Sequence, residues 1–579
     1  MDEKYYLRVG RASDLKDPKE RRLYRIFEIF PGALSYTTLL LVILLSWRKP
    51  VWIAIFIILF DVYWLLRTIY LSFHLRSGYK KMRENENTDW IGKLETLKNE
   101  LPRTYVRGIR RLVPSTSTYL SASSADLPAR NASRSDAGGR PRFSRSNYKN
   151  WKEIYHLIVI PAYKEPLEII KDGIGAIEKS DFPKEKMVVV LACEEKTREY
   201  VQPIADAIQK EFGQKFFRFL VTWHPYNLPG EIAGKGSNET WATRKAKEEI
   251  IDSLKIPYEN IIFSSFDADT CVFPKYFSCL TWYYLTAEKP TRTSFQPIPL
   301  FINNIWQAPP FSRIFSFGST FWHTMCQERP EKLITFSSHS MSFKALVDVD
   351  FKQTNVVSDD SRIFWQCFLY YDGDYRVQPL YYPVSMDANV AKSFFRTMKN
   401  IYKQQRRWAY GVGDISYFLF GFHKNKKIPF SRKFSLGFEL IEGHLSWAAA
   451  SLLIFILGWL PLIIGMPSFS HTLLFYNLPR TTSRILTVAM VGLITSAYFS
   501  ILLLPPRKPD YGRLKYLFLV FEWLLVPFTM IFFSSLPAFD AQTRWMLGKY
   551  MGFWPTEKFR RNFKGGQNQK GDEETGVSP

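Results

Sequence analysis

Hydrophobic positions fall into three textures along this chain, and each predicts a different kind of element. Near the N-terminus, Pro31–Trp47 and Val51–Phe73 are apolar runs separated only by Arg48-Lys49-Pro50. About 20 apolar residues cross a bilayer as a helix, so the pair predicts a transmembrane hairpin over 31–73. From Trp151 the texture changes to short apolar runs alternating with amphipathic stretches. His156–Tyr163, Met187–Cys193, Phe217–Trp223, Asn260–Phe266 and Thr293–Phe301 read as strands, with Glu199–Phe212 and Thr240–Leu254 as helices among them. Near-continuous apolar strands alternating with helices predict a mostly parallel sheet covered on both faces. Long apolar runs then return over 436–536, where Leu445–Gly465, Ile485–Leu504 and Tyr516–Leu536 are candidate spans.

The segments between these textures complete the expected order. Residues 1–30 read as a basic tail with Lys19, Arg21, Arg22 and Arg25, which puts the N-terminus on the cytoplasmic side. Two crossings return the chain to that side. Residues 74–113 read as a polar helical connector, and 114–147, rich in Ser, Ala, Arg and Gly, as a disordered linker. The α/β domain is expected over 151–391. Over 392–412, Phe394, Met398, Ile401, Gln405 and Trp408 recur at steps of three or four among basic residues, which predicts a helix lying in the headgroup plane. Residues 539–579 read as a further interfacial helix followed by a loop and a basic tail. Three full spans after the domain leave that tail outside, whereas its positive charge wants it inside. The conflict is removed if one of the three is re-entrant, with Tyr516–Leu536 around Pro527 the first candidate, and the sequence leaves the number of crossings open.

Composition sharpens this in two ways. The net charge is +23, from 77 basic and 54 acidic residues. The basic residues flank hydrophobic spans instead of forming one stripe, which favours anionic lipid and anionic substrate as partners over nucleic acid. The five cysteines are unevenly spaced with no CxxC pair, and they read as free thiols with no zinc site.

Polar residues at the strand ends carry the candidate chemistry. Pro161-Ala162-Tyr163-Lys164-Glu165 closes the first strand, Glu194-Glu195 the second, and Asp267-Ala268-Asp269 follows the strand that ends at Phe266. Ser358-Asp359-Asp360 opens a helical run, and Gln404-Gln405-Arg406-Arg407-Trp408 lies in the amphipathic helix. In parallel sheets ligands bind beyond the carboxyl ends of the strands, so these clusters converge on one edge. Moving a sugar from a nucleoside diphosphate requires a cation on the leaving diphosphate. Asp267 and Asp269 suit Mg2+ or Mn2+. The attacking hydroxyl must lose a proton to a carboxylate away from the metal, and Asp360 is the candidate base.

In order and spacing this set resembles family 2 glycosyltransferases of the cellulose synthase and hyaluronan synthase type, from about Tyr155 to Trp408. Pro161–Glu165 is similar to the family's P-x-Y-N-E, with Lys164 for Asn. Asp267–Asp269 matches its D-x-D, Ser358–Asp360 its T-E-D, and Gln404, Arg407 and Trp408 its Q-x-x-R-W. Gln296–Phe301 resembles its Q-x-P-H-x-F strand, with Leu300 for His. Phe336–Ser340 sits where cellulose synthases carry F-F-C-G-S, with His339 replacing a small glycine. Phe553–Lys558 resembles the F-x-V-T-x-K gating loop that covers the donor.

The resemblance implies a GT-A-type (Rossmann-like) α/β domain inserted between transmembrane helices, with amphipathic interface helices. It implies an integral membrane protein of the plasma membrane with its catalytic domain cytoplasmic. The implied donor-side residues are Pro161, Tyr163, Glu165, Glu194, Lys235, Asp267, Gln404 and Arg407. Trp408, His339 and Ser340 fall on the acceptor side, and Phe553, Thr556 and Lys558 in the gating-like loop. The implied activity is inverting, metal-dependent transfer to a growing polysaccharide. Transfer of one sugar to a lipid acceptor is the second reading, and a non-enzymatic transporter or scaffold on the same fold is the third. Accessory subunits are not readable.

Overall fold

In the computed structural model, residues 4–99, 150–506 and 514–560 are described. The segment expected as a disordered linker, 114–147, lies outside them, as does the tail beyond 560. The remainder is an α/β domain held against a bundle of long apolar helices.

The sheet has eight strands: β1 Tyr155–Ala162, β2 Met187–Glu194, β3 Arg218–His224, β4 Ile261–Ser265, β5 Cys271–Val272, β6 Thr293–Leu300, β7 Ser340–Ser342 and β8 Arg376–Ser385. Their order is β3-β2-β1-β4-β7-β6-β8-β5. The first four are mutually parallel, and β7 runs antiparallel between β4 and β6. Every residue of β2, β4 and β6 is buried, so these strands carry no polar alternation. Each fully buried aliphatic side chain contributes roughly 1.5–3 kcal/mol to holding them there. β1, β2 and β4 end in the same direction, which places Glu165, Glu194 and Asp267 along one edge.

Among the described residues, five helices are long and apolar enough to cross a membrane: Pro18–Arg48, Pro50–Asn87, Phe430–Phe455, Leu473–Leu503 and the irregular Tyr516–Met546. Pro50–Asn87 runs well past the expected end of the hairpin and continues into the polar connector. The following helix anchors on the domain, where the buried Trp90 packs against Trp282 and Tyr283. Phe430–Phe455 begins earlier than the apolar run suggested. Its first turns carry charges that find partners, such as Lys332 and Arg329 for Glu439, and Arg67 on Pro50–Asn87 for Glu442 (2.6 Å).

Tyr516–Met546 meets the α/β domain at one end and the helix that follows that domain at the other. At one end the Tyr516 and Trp306 rings lie 5.9 Å apart, Glu522 accepts from Arg313 Nε at 2.8 Å, and Trp523 stacks on Phe321. At the other end Asp540 accepts from Arg406 at 2.8 Å and Trp545 lies edge-on to Tyr410. Between them the segment passes through a 3-10 turn at Trp523–Leu525 and a π turn at Ile531–Ser535, flanking Pro527. Proline and π turns bend helices.

The described part of the N-terminal segment is not a free tail. Tyr6, Leu7 and Val9 are buried against the domain, Tyr417 donates to the Leu7 carbonyl at 3.0 Å, and the first long helix starts at Pro18 with Asp17 capping it. The charged residues that suggested a tail alternate with aromatic and aliphatic ones, and those side chains fold inward.

Candidate active site

The carboxylates at the sheet edge converge on two lysines. Lys235 opens the helix Lys235–Ala246, and its Nζ lies 2.7 Å from Asp267 Oδ1 and 3.1 Å from Asp360 Oδ2. Gly236, next in that helix, lets it press against the Asp359–Tyr370 helix: a Cβ there would lie 2.8 Å from that of Asp359. Glu239 is one turn beyond Lys235 and fully buried. The second lysine, Lys352, reaches Glu239 at 2.7 Å, Asp359 at 2.9 Å and Asp360 at 3.0 Å. Glu239, Asp359 and Asp360 have ligand atoms close enough together to hold a cation, and the Lys352 ammonium contacts all three.

Burial alone would raise the Asp360 carboxyl, but Lys235 and Lys352 outweigh it and hold Asp360 well below the usual carboxylate range. Asp267 is displaced downward for the same reason, against its burial, by Lys235. His339 is buried and pushed down to about 3, by burial first and then by Lys352. It is therefore neutral, with Nδ1 donating to the Phe336 carbonyl at 2.8 Å and lying 3.8 Å from Asp360. The preceding Ser338 is left-handed, at φ +62, and turns the His339 ring inward. Ser340 was expected at the acceptor end. Its hydroxyl instead lies in the core, 2.7 Å from Ser264 Oγ and 3.1 Å from Tyr276 Oη.

Asp269 is fully buried on the other side of the cleft. Its Oδ2 accepts from the Asp387 backbone N–H at 2.9 Å and takes the Lys558 ammonium at 2.5 Å. Its Oδ1 is buried without a hydrogen-bond partner. An orphaned carboxylate oxygen beside Asp267 fits a hard divalent cation, which accepts oxygen ligands and tolerates further water or phosphate ligands.

Lys558 arrives on Met551–Arg560, an extended stretch without helix or strand that crosses the cleft. Phe553 lies so close to Gly234 that a Cβ on that glycine would be 2.6 Å away. Lys403 sits over the Trp554 ring, Arg396 pairs with Glu557 at 2.9 Å, and Arg560 pairs with Asp387 and with Asp172. The Thr556 hydroxyl is buried without a partner.

The remaining expected residues lie around this centre. Glu165 folds back on its own loop, accepting from the backbone N–H groups of Tyr163 at 2.7 Å and Lys164 at 3.1 Å, next to Pro161 at the end of β1. Glu194 holds His224 Nδ1 at 3.1 Å, while the other ring nitrogen lies 3.0 Å from Glu231. Gln404 accepts from Asn389 at 3.2 Å. Arg407 has its guanidinium 4.9 Å from the Phe553 ring centre and its Nε buried without a partner. Burial lowers Arg407, and Asp267, Asp360 and Asp359 draw its charge toward the cleft. Trp408 packs one side against Phe315 and Phe301, with ring centres 5.8 and 6.3 Å away. The helix that carries them, Phe394–Ala409, buries Thr397, Asn400, Gln404 and Gln405 and exposes Phe394 and Phe395. Ile401 and Ala409 are buried on the same face, so the inner side carries polar residues among the apolar ones expected from spacing.

Glu239 and Lys352, paired on the Asp360 side, and Asp387 and Arg560, paired on the Asp269 side, were not anticipated. Glu239 had one available signal, its helical i+4 spacing from Lys235. The others lie in irregular segments that no periodicity marks.

No family model matches the chain, and no curated protein matches it. Solved structures do resemble it. Mannosyltransferase PcManGT from Pyrobaculum calidifontis, in complex with GDP-Man and Mn2+, is 15% identical with a TM-score of 0.37, over 60% of this chain and 86% of that one. S. aureus TarS 1-349 in complex with UDP is 11% identical with a TM-score of 0.31, over 62% and 95%. GalNAc-T7 with UDP, GalNAc and Mn2+ is 10% identical with a TM-score of 0.31, over 50% and 58%.

Proposed function

We propose that this chain is an inverting, metal-dependent membrane glycosyltransferase of family 2, which moves a sugar from a nucleoside-diphosphate sugar onto a growing polysaccharide. The observation that carries this reading is the convergence of Asp267, Asp269 and Asp360 with Lys235 and Arg407 in one cleft at the sheet edge. Asp267 and Asp269 would hold Mg2+ or Mn2+, which supplies charge neutralisation for the departing diphosphate. Lys235 and Arg407 bind phosphate oxygens. Asp360 takes the proton of the acceptor hydroxyl as that oxygen bonds to C1. The bond from C1 to the diphosphate oxygen breaks with its electron pair, and the nucleoside diphosphate leaves. Glu194 orients toward the nucleoside, Phe553, Thr556 and Lys558 cover the donor, and Trp408 offers its free side to the acceptor.

The helix ends support the following reading of the membrane topology. Pro18–Arg48, Pro50–Asn87, Phe430–Phe455 and Leu473–Leu503 make four crossings. Tyr516–Met546 is read as entering and leaving on the domain side, since one end contacts Arg313 of the α/β domain and the other Arg406 of the helix that follows it. The catalytic domain and Lys558 are then both cytoplasmic.

The test is incubation of purified protein in detergent with radiolabelled UDP-glucose, UDP-N-acetylglucosamine and GDP-mannose, with and without Mn2+. A product ladder is expected. One lipid-extractable product would replace the polymer reading with single-sugar transfer to lipid. No transfer from any donor would favour a scaffold or transporter.

A further inference from the structure

Lys352 is the most fully engaged side chain near the cleft, although no motif contains it. Its Nζ lies 2.7 Å from Glu239 Oε2, 2.9 Å from Asp359 Oδ2, 3.0 Å from Asp360 Oδ1 and 3.0 Å from Ser265 Oγ. An ammonium has three N–H donors, so these acceptors use its whole capacity. The residue is 3% exposed.

The backbone that delivers it is both strained and tied down. Asp350 and Phe351, immediately before it, adopt φ of +59 and +67, a region that a bulky side chain such as Phe351 rarely enters. Such a turn persists only where its surroundings over-determine it, and these turns cluster at functional sites. Here the Lys352 carbonyl accepts from Thr240 at 3.1 Å, Gln353 N–H donates to Gln366 at 3.2 Å, and the Thr354 carbonyl accepts from Ile232 N–H at 2.8 Å. The lysine is therefore fixed to the helix of Lys235 and Glu239 and to the helix of Asp359 and Asp360.

We propose that Lys352 is the positioning residue of the transfer reaction: it pins Oδ1 of Asp360, which Lys235 also reaches at 3.2 Å, so that once Lys235 turns to the donor Oδ2 is left to face the acceptor hydroxyl. This rests on Asp360 being the base. The charged and titratable groups facing Asp360 are Lys235 and Glu239 on one helix, Asp359 beside it, His339 ahead of β7, Arg407 on the Phe394–Ala409 helix, and Asp267 through Lys235. Lys352 itself and Lys235 alone are cations within hydrogen-bond distance of Asp360 among the described residues. Lys235 is the one that a donor diphosphate can draw away.

The test uses the full-length protein in detergent, with the labelled donor that gives transfer. UDP and GDP affinities and the pH profile of kcat are compared for wild type, Lys352→Met and Asp360→Asn. In Lys352→Met, nucleotide affinity is expected to stay within about threefold, since the lysine touches no proposed donor group, while kcat falls by about 30- to 100-fold, the lower end of the range for a misplaced base. The acid limb of the kcat profile should move up by at least one pH unit, because a carboxylate deprived of its ammonium holds its proton more tightly. If the buried acids left unpaired prevent folding, Lys352→Met with Glu239→Gln removes one charge of each sign and carries the same expectation. A folded variant with an unmoved acid limb and unchanged kcat would overturn the proposal and leave Lys352 as a charge balance for the core. Full turnover in Asp360→Asn would instead reject Asp360 as the base, and the two failures are read from different variants.

Discussion

Asp269 and Asp360 stand on opposite sides of one cleft, each against a lysine, but the lysines differ in how they are held. Lys352 comes from a turn buried in the domain and spends all its donors on four fixed acceptors. Lys558 comes from the extended segment Met551–Arg560 near the end of the chain, and it leaves Asp269 Oδ1 unsatisfied. Breaking a buried ion pair by removing one partner typically costs about 3–5 kcal/mol, so a pair like Lys352–Asp360 is permanent. A cation on an extended strap can be exchanged for another cation at the loss of a few contacts. The difference teaches which side of the cleft is built to receive something: the Asp269 side is arranged for exchange and the Asp360 side for constancy.

The largest expected effect breaks the exchangeable side. Asp269→Asn should abolish transfer and remove the Mn2+ dependence of donor binding, since an amide is a poorer ligand for a hard cation. Calorimetric donor titration with and without Mn2+ measures this, and an unchanged metal dependence counts against Asp269 as a ligand. Asp360→Asn attacks the constant side. Its turnover should fall by ~10²-fold or more with donor binding near normal, the usual scale for a lost general base. Collapse of donor binding together with turnover would mean that the two sides are not separable.

Lys558→Met sharpens the comparison. Removing the resident ammonium from Asp269 should raise the affinity of donor-free protein for Mn2+ severalfold, read by paramagnetic resonance of free Mn2+. Equal affinities would show that Lys558 and the ion do not compete.

The smallest effect lies outside both sides. Burial lowers the His224 imidazole, but Glu194 and Glu231 outweigh it and raise it above its ordinary value of 6.5. The stability this contributes is fully present below 6.5 and is lost as pH rises through the raised value. The gap in melting temperature between wild type and His224→Gln should therefore be widest near the acid end and close toward alkaline pH. A gap constant with pH would assign His224 to packing alone.

How much of this was legible beforehand depends on what kind of signal each residue leaves. β2 and β6 announce themselves because burial on both faces demands unbroken apolar runs. Asp267, Asp269 and Asp360 drew attention because strand ends and helix starts are where such sheets put their chemistry. Ser340 shared a motif-like stretch with His339, yet strand alternation sends its hydroxyl to Ser264, and a linear pattern does not encode that. Lys352 was invisible because a lysine among polar loop residues reads as solvated. Its burial depends on Glu239 and Asp359 arriving from two other helices. The polar residues of Phe394–Ala409 that meet the C-terminal strap, Arg396 and Asn400 at Glu557, were missed for a related reason: no periodicity reveals the path of that strap.

That strap also has a consequence in time. Synthesis runs from the N-terminus, and the α/β domain, with Asp267, Asp269 and Asp360 in place, emerges long before Met551–Arg560 does. Until Tyr516–Met546 has turned back and carried Phe553 to Gly234 and Lys558 to Asp269, the domain is complete but its cleft is uncovered. Among the described residues, closing that cleft is thus a late contact, and on the proposed function it ties the covering of the donor to membrane insertion.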